Sequence, residues 1–301
     1  MFIVKNRIIF YILSVLLIGS SIFAYFAWGL NYGIDFTGGS SIEIQPISTS
    51  TTTVLQSDSK KVLDQTFPEA VVRPYGENGF IIKTKHTIGN QDTELKNKII
   101  SVLPTHQVVR VDTIGPTLGA ELKQKSITSI ILVLLAIVLF ITFAFRQITR
   151  PVSSWKYGIA AIIALFHDVI IPVGFFAAMN HFVGGYEVDA LFITALLVVL
   201  GFSIHDTIVV FDRVRENLRV SKEKEFEKIV GASISETFIR SINTSLTTIL
   251  ALIAVYVWGP ETTRNFALTL IVGIAAGTYS SIFVGSNLLV TMASWSKKAG
   301  K

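Results

Sequence analysis

The sequence predicts a polytopic α-helical membrane protein with six transmembrane helices and an extracytoplasmic α+β domain between helices 1 and 2. Of the 301 residues, 50% are hydrophobic and 16% are charged, and the mean hydropathy of +0.57 is too high for an ordinary water-soluble enzyme. Six apolar segments offer the run of about 20 residues that a helix needs to cross a bilayer. A long polar stretch, residues 31–126, separates the first of these segments from the second.

The apolar segments are predicted to cross the membrane as helices, the fifth being only just long enough. They are residues 8–28, 127–145, 157–179, 190–211, 242–258 and 266–290. The first segment follows Lys5 and Arg7, as a signal peptide would, but its apolar core is longer and no small-x-small cleavage site follows before Asn31. We therefore expect it to be a retained anchor.

The placement of charges predicts the orientation of the chain, whose net charge is +5. Lys and Arg concentrate at both ends and in the loops after the second and fourth helices, so the positive-inside rule places both termini in the cytoplasm. The domain after the first helix is long enough to cross regardless of its lysines. The predicted divisions are 1–30 with helix 1, the extracytoplasmic domain 31–126, helices 2–4 in 127–211, a cytoplasmic amphipathic loop 212–241, helices 5 and 6 in 242–291, and a cytoplasmic tail 292–301.

The extracytoplasmic domain has the residue pattern of a β-α-β-β-α-β, ferredoxin-like unit. Extended segments are predicted at 40–46, 70–75, 79–84 and 108–114, and helices at 57–66 and 92–102. Residues 76–79 form the central hairpin turn, and the Ser/Thr-rich run 48–53 is expected to be its most mobile loop.

The cytoplasmic segment before helix 5 has apolar side chains at helical spacing among charges of both signs. These apolar residues are Phe226, Ile229, Val230, Ile234 and Phe238. Either an amphipathic helix on the membrane surface or a helix packed beneath the bundle fits this pattern.

Polar residues within the predicted membrane helices mark a functional path or a buried pair, because they are costly there. Helix 3 carries His167 and Asp168 near its middle. Helix 4 carries four polar residues in its cytoplasmic third: Ser203, His205, Asp206 and Thr207. Arg240 precedes helix 5, on which a polar stripe follows at helical spacing: Asn243, Thr244, Thr247 and Thr248. We expect this stripe to face other helices or a hydrated path, although hydroxyls that bond back to their own helix are the alternative.

Asp206 and Arg240 are the candidate proton-coupling pair, because they flank the same loop between antiparallel helices. Movement of these helices would change the proton affinity of the carboxylate. A proton crossing the membrane releases about 2.3 kcal/mol per 100 mV, which is enough to bias a conformational equilibrium. A static ion pair is the structural alternative. His167 and His205 either extend a proton relay or serve only as packing residues.

A ladder of small residues on helix 6 predicts close packing against another helix, in this chain or in a partner. The ladder has a four-residue step and comprises Thr269, Gly273, Gly277, Ser281 and Gly285.

Several classes of chemistry are excluded by missing motifs. The chain has no cysteine, which removes thiol catalysis, thiolate metal sites and disulfides. It also has no GxxxxGK[ST] phosphate loop and no HExxH motif, and its basic residues are not interleaved with aromatics as in nucleic-acid-binding patches. We therefore expect no enzyme, no metal or other cofactor and no nucleic-acid partner, and an ion gradient as the source of energy.

The sequence resembles the SecF subunits of the bacterial Sec accessory translocase in motifs that follow one another along nearly the whole chain. They are YGIDFTGG at 32–39, GPTLGAE at 115–121, His167-Asp168, GFSIHDTIVVFDRVREN at 201–217 and RSINTS at 240–245. In the first motif, Asp35, Gly38 and Gly39 are predicted to form a cap and tight turn before the strand at Ser40, and a hinge is the second interpretation.

The resemblance implies a subunit of the bacterial cytoplasmic (inner) membrane that is related to resistance-nodulation-division exporters. Such a subunit pairs with SecD and uses the proton gradient to help pull unfolded preproteins from the SecYEG channel, within a lipid bilayer. The family's essential aspartate and arginine correspond to Asp206 and Arg240, and SecD supplies a further acidic residue. The family often has Asn where this chain has His205, which leaves the coupling ion, expected to be H⁺, open to test.

Two other functions fit parts of the sequence. A stand-alone proton-driven exporter of small molecules or lipids shares the bundle architecture, although such exporters usually contain two bundles in one chain. An intramembrane aspartyl hydrolase would use Asp168 and Asp206 as a carboxylate dyad, but the Tyr-Asp and Gly-x-Gly-Asp contexts of such enzymes are missing.

Overall fold

The computed structural model describes residues 2–47, 56–68, 70–76, 78–85, 91–146, 152–223 and 225–299. The predicted mobile run 48–53 and position 77 of the hairpin turn lie outside these ranges. In chain order the elements are α1 (Phe2–Lys5), α2 (Arg7–Trp28), α3 (Ile34–Thr37), β1 (Gly39–Pro46), α4 (Gln56–Thr66), β2 (Val71–Tyr75), β3 (Gly79–Thr84), α5 (Gln91–Val102), β4 (His106–Ile114), α6 (Pro116–Ala144), α7 (Ser154–Phe182), α8 (Ala190–Val220), α9 (Phe226–Trp258), α10 (Glu261–Tyr279), a π-helical turn (Ser280–Gly285) and α11 (Ser286–Ala299).

Six helices are long and apolar enough to cross a membrane, as predicted: α2, α6, α7, α8, α9 and the continuous run from α10 into α11. All six extend beyond the predicted spans at one or both ends. Helix α6 begins at Pro116, where the fixed φ of proline suits the first helical turn. Helix α8 continues to Val220, and α9 already begins at Phe226.

The predicted cytoplasmic amphipathic loop 212–241 is therefore not a separate surface helix. It consists of the end of α8, a short connection and the beginning of α9. Phe226, Val230 and Ile234 are buried in one apolar cluster with Val210 and Phe211 of α8. The apolar face of this segment packs beneath the bundle because α8 and α1 cover it there, and this agrees with the second of the two interpretations.

The α+β domain (residues 39–114) is a four-stranded antiparallel sheet in the order β2-β3-β1-β4. Its elements follow one another as the predicted β-α-β-β-α-β pattern. Alternate residues of the strands, among them Ile42, Ile44 and Phe80, form an apolar core with Leu63 of α4 and Ile99 of α5. The helices thus cover one face of the sheet and leave the other face polar.

The chain enters this domain through a tight turn that only glycine fits. Gly38 and Gly39 have φ of 76° and 141°, which is a region that L side chains rarely adopt. A Cβ at Gly38 would lie 2.8 Å from the Cα of Pro116, and one at Gly119 would lie 2.9 Å from the nitrogen of Gly38. The turn and the start of α6 are therefore packed backbone against backbone, in agreement with the turn interpretation. A hinge role stays a prediction.

The predicted small-residue ladder packs against α8 of the same chain. A Cβ at Gly273 would come within 2.3 Å of the Val199 side chain, and one at Gly277 within 2.8 Å of the Cβ of Ser203. The last residue of the ladder faces a different direction, because the π-helical turn begins at Ser280 and adds a residue to the turn. Gly285 consequently faces Ala164 of α7 and the ring of Phe211.

We expect Gly273→Ala to lower the stability of the purified chain by about 1–3 kcal/mol, because the stiff Val199 side chain has no room to yield. Gly19→Ala is the matched control, since Gly19 also lies inside a helix but faces open space. Thermal unfolding in detergent measures the difference. An unfolding temperature of Gly273→Ala equal to or above that of Gly19→Ala would contradict the close contact.

Candidate ion-coupling site

Asp206 is a buried carboxylate at the meeting point of three helices. It lies on α8, and the residue is only 3% exposed. The Ser245 hydroxyl of α9 donates to its Oδ2 at 3.4 Å, and the same hydroxyl lies 2.5 Å from that of Thr278 on α10. The carboxylate is therefore held by hydroxyls of the two neighbouring helices.

The hydrogen bonding of Asp206 is weak for a buried ionisable group. A distance of 3.4 Å is long for a bond between hydroxyl and carboxylate. Ser245 also donates to the carbonyl of Ser241 at 2.9 Å, so the hydroxyl is shared. A buried carboxylate needs several donors or a cation to remain ionised, and here it has few. Such a group is sensitive to small movements of the helices that surround it.

The predicted pair of Asp206 and Arg240 is not closed in this structure. Among the described residues, the Arg240 guanidinium has no carboxylate within 4.0 Å, although Arg240 contributes to the electrostatic environment of Asp206. The physical reason is the rotation of α9. Ser241 and Ser245 lie on its buried face, while Arg240 lies on its exposed face.

Arg240 instead lines an open cavity of about 470 Å³ at the end of the bundle opposite the α+β domain. Arg213, Glu216 and Glu236 also line this cavity, and Arg213 forms ion pairs with both glutamates. Asn217 donates to Glu236 at 3.0 Å. A charged network thus leads from the ends of α8 and α9 toward Arg240.

The predicted polar stripe of α9 does not face other helices of this chain. Asn243, Thr244 and Thr247 are exposed. The hydroxyls of Thr244, Thr247 and Thr248 donate to backbone carbonyls of α9 itself, at 2.9 to 3.0 Å. The alternative interpretation of the stripe, hydroxyls that bond back to their own helix, describes these contacts.

Asp168 lies in a second buried cluster and is better satisfied than Asp206. Its Oδ2 accepts from Ser280 at 2.8 Å and from Ser203 in a very short bond, and its Oδ1 lies 2.9 Å from Nδ1 of His167. The Nε2 atom of His167 is buried without a hydrogen-bond partner among the described residues. Asp168 therefore joins α7, α8 and the π-helical turn through three donors.

The two carboxylates belong to separate hydroxyl sets, with no hydrogen bond between them in the described part of the chain. This arrangement gives no support to a catalytic aspartate dyad, which requires two carboxylates that share a proton. The π-helical turn makes further contacts with α8 beside the Asp168 set. Thr207 of α8 lies 2.8 Å from the hydroxyl of Ser281, which also donates to the carbonyl of Ser203 at 3.3 Å.

Sequence reasoning missed Ser245, Thr278 and Ser280 as partners of the carboxylates. Ser245 stands inside the RSINTS motif, and its four-residue spacing from Ser241 was an available signal. No local sequence pattern predicts the π-helical turn that brings Ser280 to Asp168. His205, next to Asp206, is exposed on α8.

The other end of α8 is anchored beneath the α+β domain. Asp189 caps the helix by accepting from the Phe192 nitrogen at 2.8 Å, and Asp35 accepts from the Ala190 nitrogen at 2.9 Å. Burial raises the pKa of the Asp189 carboxyl above its ordinary value. The predicted turn residue Asp35 therefore ties the start of the domain to α8.

No group of three or more His, Cys, Asp or Glu side chains within the described ranges could hold a metal ion.

Comparison with known proteins gives consistent matches along the whole chain. The profile of the family described as "Protein export membrane protein SecD/SecF, C-terminal" matches residues 94–295, and the "SecD/SecF GG Motif" matches residues 29–46, which include the glycine turn. The protein translocase subunit SecF of Thermobaculum terrenum is 41% identical over 98% of this chain and 94% of its own length. That of Anaerolinea thermophila is 34% identical over 99% of this chain and 98% of its own length.

A solved structure agrees with these relatives. The crystal structure of SecDF, a translocon-associated membrane protein from Thermus thermophilus, covers 98% of this chain with a TM-score of 0.79 and 31% sequence identity. This chain spans 38% of that longer chain. By sequence, fold and motif, the chain belongs to the SecD/SecF family of protein export membrane proteins.

Proposed function

We propose that this chain is an accessory subunit of the Sec preprotein translocase that, together with SecD, uses the proton motive force to promote protein export across the cytoplasmic membrane. The family membership and the names of the relatives support the role in export. The observation that carries the proton-driven mechanism is Asp206, a buried and weakly hydrogen-bonded carboxylate between three helices.

Protonation of Asp206 changes what the helices around it must provide. The neutral carboxyl tolerates the buried position and can donate to the hydroxyls of Ser245 or Thr278. The ionised carboxylate needs a cation or more donors, and Arg240 stands five residues before Ser245 on the neighbouring helix. Rotation of α9 that brings Arg240 inward would therefore accompany release of the proton, and the reverse rotation would accompany its uptake.

In this mechanism the proton passes between Asp206 and water through the cavity that Arg240 lines, on the side opposite the α+β domain. A proton that crosses a membrane potential of 100 mV provides about 2.3 kcal/mol. That energy shifts a two-state equilibrium about 50-fold, which changes a ratio of about 1:7 into about 7:1.

Asp168 plays a structural part in this mechanism. Its three donors remain in place whichever way Arg240 points, so it fixes the junction of α7, α8 and the π-helical turn while Asp206 exchanges its proton. His167 orients this carboxylate, and His205 modifies the charge near Asp206 without being a required member of a relay.

In this proposal the exposed polar stripe of α9 is the surface that contacts SecD. Asn243 and Thr247 are exposed and would face hydrocarbon if this chain stood alone in a bilayer, and a neighbouring membrane helix removes that cost. The length of the solved SecDF chain, of which this chain spans 38%, supports a partner larger than this chain. SecYEG and the unfolded preprotein complete the assembly in lipid.

We expect Asp206→Asn and Arg240→Met to abolish the contribution of this subunit to secretion, since each variant removes one charge from the coupling site. Secretion of a reporter protein is measured in cells depleted of the native subunit and complemented with each variant, with membrane abundance of the variant and of SecD checked alongside. Asp64→Asn, on an exposed carboxylate of α4, is the control. Normal secretion by either coupling variant would show that the pair is structural only.

We expect a photo-cross-linking amino acid at Thr247 to capture SecD, because this position lies on the exposed polar stripe. The same group at Leu246 serves as the matched control, since Leu246 is 50% exposed but lies on the apolar side of the same helix. Immunoblots of irradiated membranes show the products. Equal capture of SecD from both positions, or capture only from Leu246, would contradict the assigned interface.

A further inference from the structure

The polar face of the α+β sheet contacts a buried carboxylate in the loop between two membrane helices. Glu187, in the loop between α7 and α8, has a side chain that is only 4% exposed. Its Oε2 accepts from Lys83 Nζ of β3 at 2.8 Å. Nη2 of Arg73, on the adjacent strand β2, lies 3.9 Å from the same oxygen. Two cations of the sheet thus surround one carboxylate of the helical part.

This contact differs from the ion pairs on the surface of the domain. Arg110 and Asp112 pair at 2.8 Å, but their side chains are 69% and 50% exposed. Exposed pairs contribute little to stability, whereas the loss of one member of a buried pair leaves an uncompensated charge. Glu187 therefore needs a cation from the sheet in any arrangement that keeps it buried.

The chain segment that leads into the domain is tied to the same loop by its backbone. Val188 donates to the carbonyl of Asn31 at 2.8 Å, and Gly33 donates to the carbonyl of Val188 at 2.9 Å. The Asp35 contact with the first turn of α8 adds a third bond. These bonds fix the root of the domain to α8, so the sheet itself is attached to the loop chiefly through side chains.

Arg73 offers Glu187 a second partner on the same sheet face. In the β2–β3 register, Val71 pairs with Lys83 and Arg73 with Ile81, which places Arg73 and Lys83 on neighbouring strands and on one face. Neighbouring strands are about 4.8 Å apart. Nε and Nη2 of Arg73 are buried and have no hydrogen-bond partner among the described residues. The guanidinium is therefore ready to receive the carboxylate when Lys83 withdraws.

We propose that Glu187 is a positioning residue that holds the sheet against the start of α8 and transfers its hydrogen bond from Lys83 to Arg73 when the α+β domain shifts across this loop. Helix α8 runs without interruption from this contact to Asp206, a distance of about 24 Å along its axis. The α+β domain then has two defined positions, one for each cation partner of Glu187. A movement of α8 would shift the domain from one position to the other. The link to Asp206 rests on the proposed function, whereas the docking by Glu187 does not.

The first test measures the position of the domain in the purified chain, without SecD or export. The chain has no native cysteine, so spin labels on Gln107→Cys in β4 and Val183→Cys before Glu187 report one distance. We expect Glu187→Gln to lower the population at the wild-type distance relative to longer distances by at least about tenfold. The double variant Lys83→Glu with Glu187→Lys should restore it, and the control Asp112→Asn should leave it unchanged.

Three results would overturn the proposal. The first is a wild-type distance distribution in Glu187→Gln, and the second is a folded double variant in which the charge exchange does not restore the distance. The third is a second distance in the wild-type chain that persists in Arg73→Gln. Lys83→Gln provides a second test if Glu187→Gln does not fold. In this variant Arg73 remains as the partner of Glu187, so the population should shift toward the second distance. Failure of the proposed function is recognised separately, as normal secretion with Asp206→Asn, and does not alter the distance result.

Discussion

The structure depends on the burial of one ionisable carboxylate in an apolar bundle. Asp206 sits among α8, α9 and α10, where its charged form is costly and the hydroxyls of Ser245 and Thr278 offset only part of that cost. The close approach of α10 to α8 at Gly273 and Gly277 brings these groups together. Because the site is poorly satisfied in its ionised form, the proposed function has the helices that enclose it respond to its protonation.

Other contacts hold the helices around Asp206 in place and connect them to the α+β domain. Asp168, with its three donors, fixes α7 to α8 and to the π-helical turn, which leaves α9 as the helix whose rotation changes the surroundings of Asp206. The opposite end of α8 is held by Asp35 and lies beside the Glu187 contact. A single straight element thereby joins the buried carboxylate to the α+β domain.

Much of this arrangement was predictable from the sequence, because apolar runs and alternating strands are local signals. The six helices, the β-α-β-β-α-β order and the choice of Asp206 as the central carboxylate all came from such signals. The predicted pairing of Arg240 with Asp206 is not closed in this structure, since each helical residue turns by about 100° and only tertiary packing decides which face is buried. The π-helical turn and the Glu187 contact join distant parts of the chain and leave no periodic pattern.

The central claim is that Asp206 takes up and releases a proton within the membrane. Infrared difference spectra of the chain assembled with SecD in lipid, recorded between two pH values, test it most directly. We predict a band of a buried protonated carboxyl that shifts in deuterated water and is absent from Asp206→Asn but retained in Asp64→Asn. The same band in Asp206→Asn would contradict the account, because another group would then carry the proton.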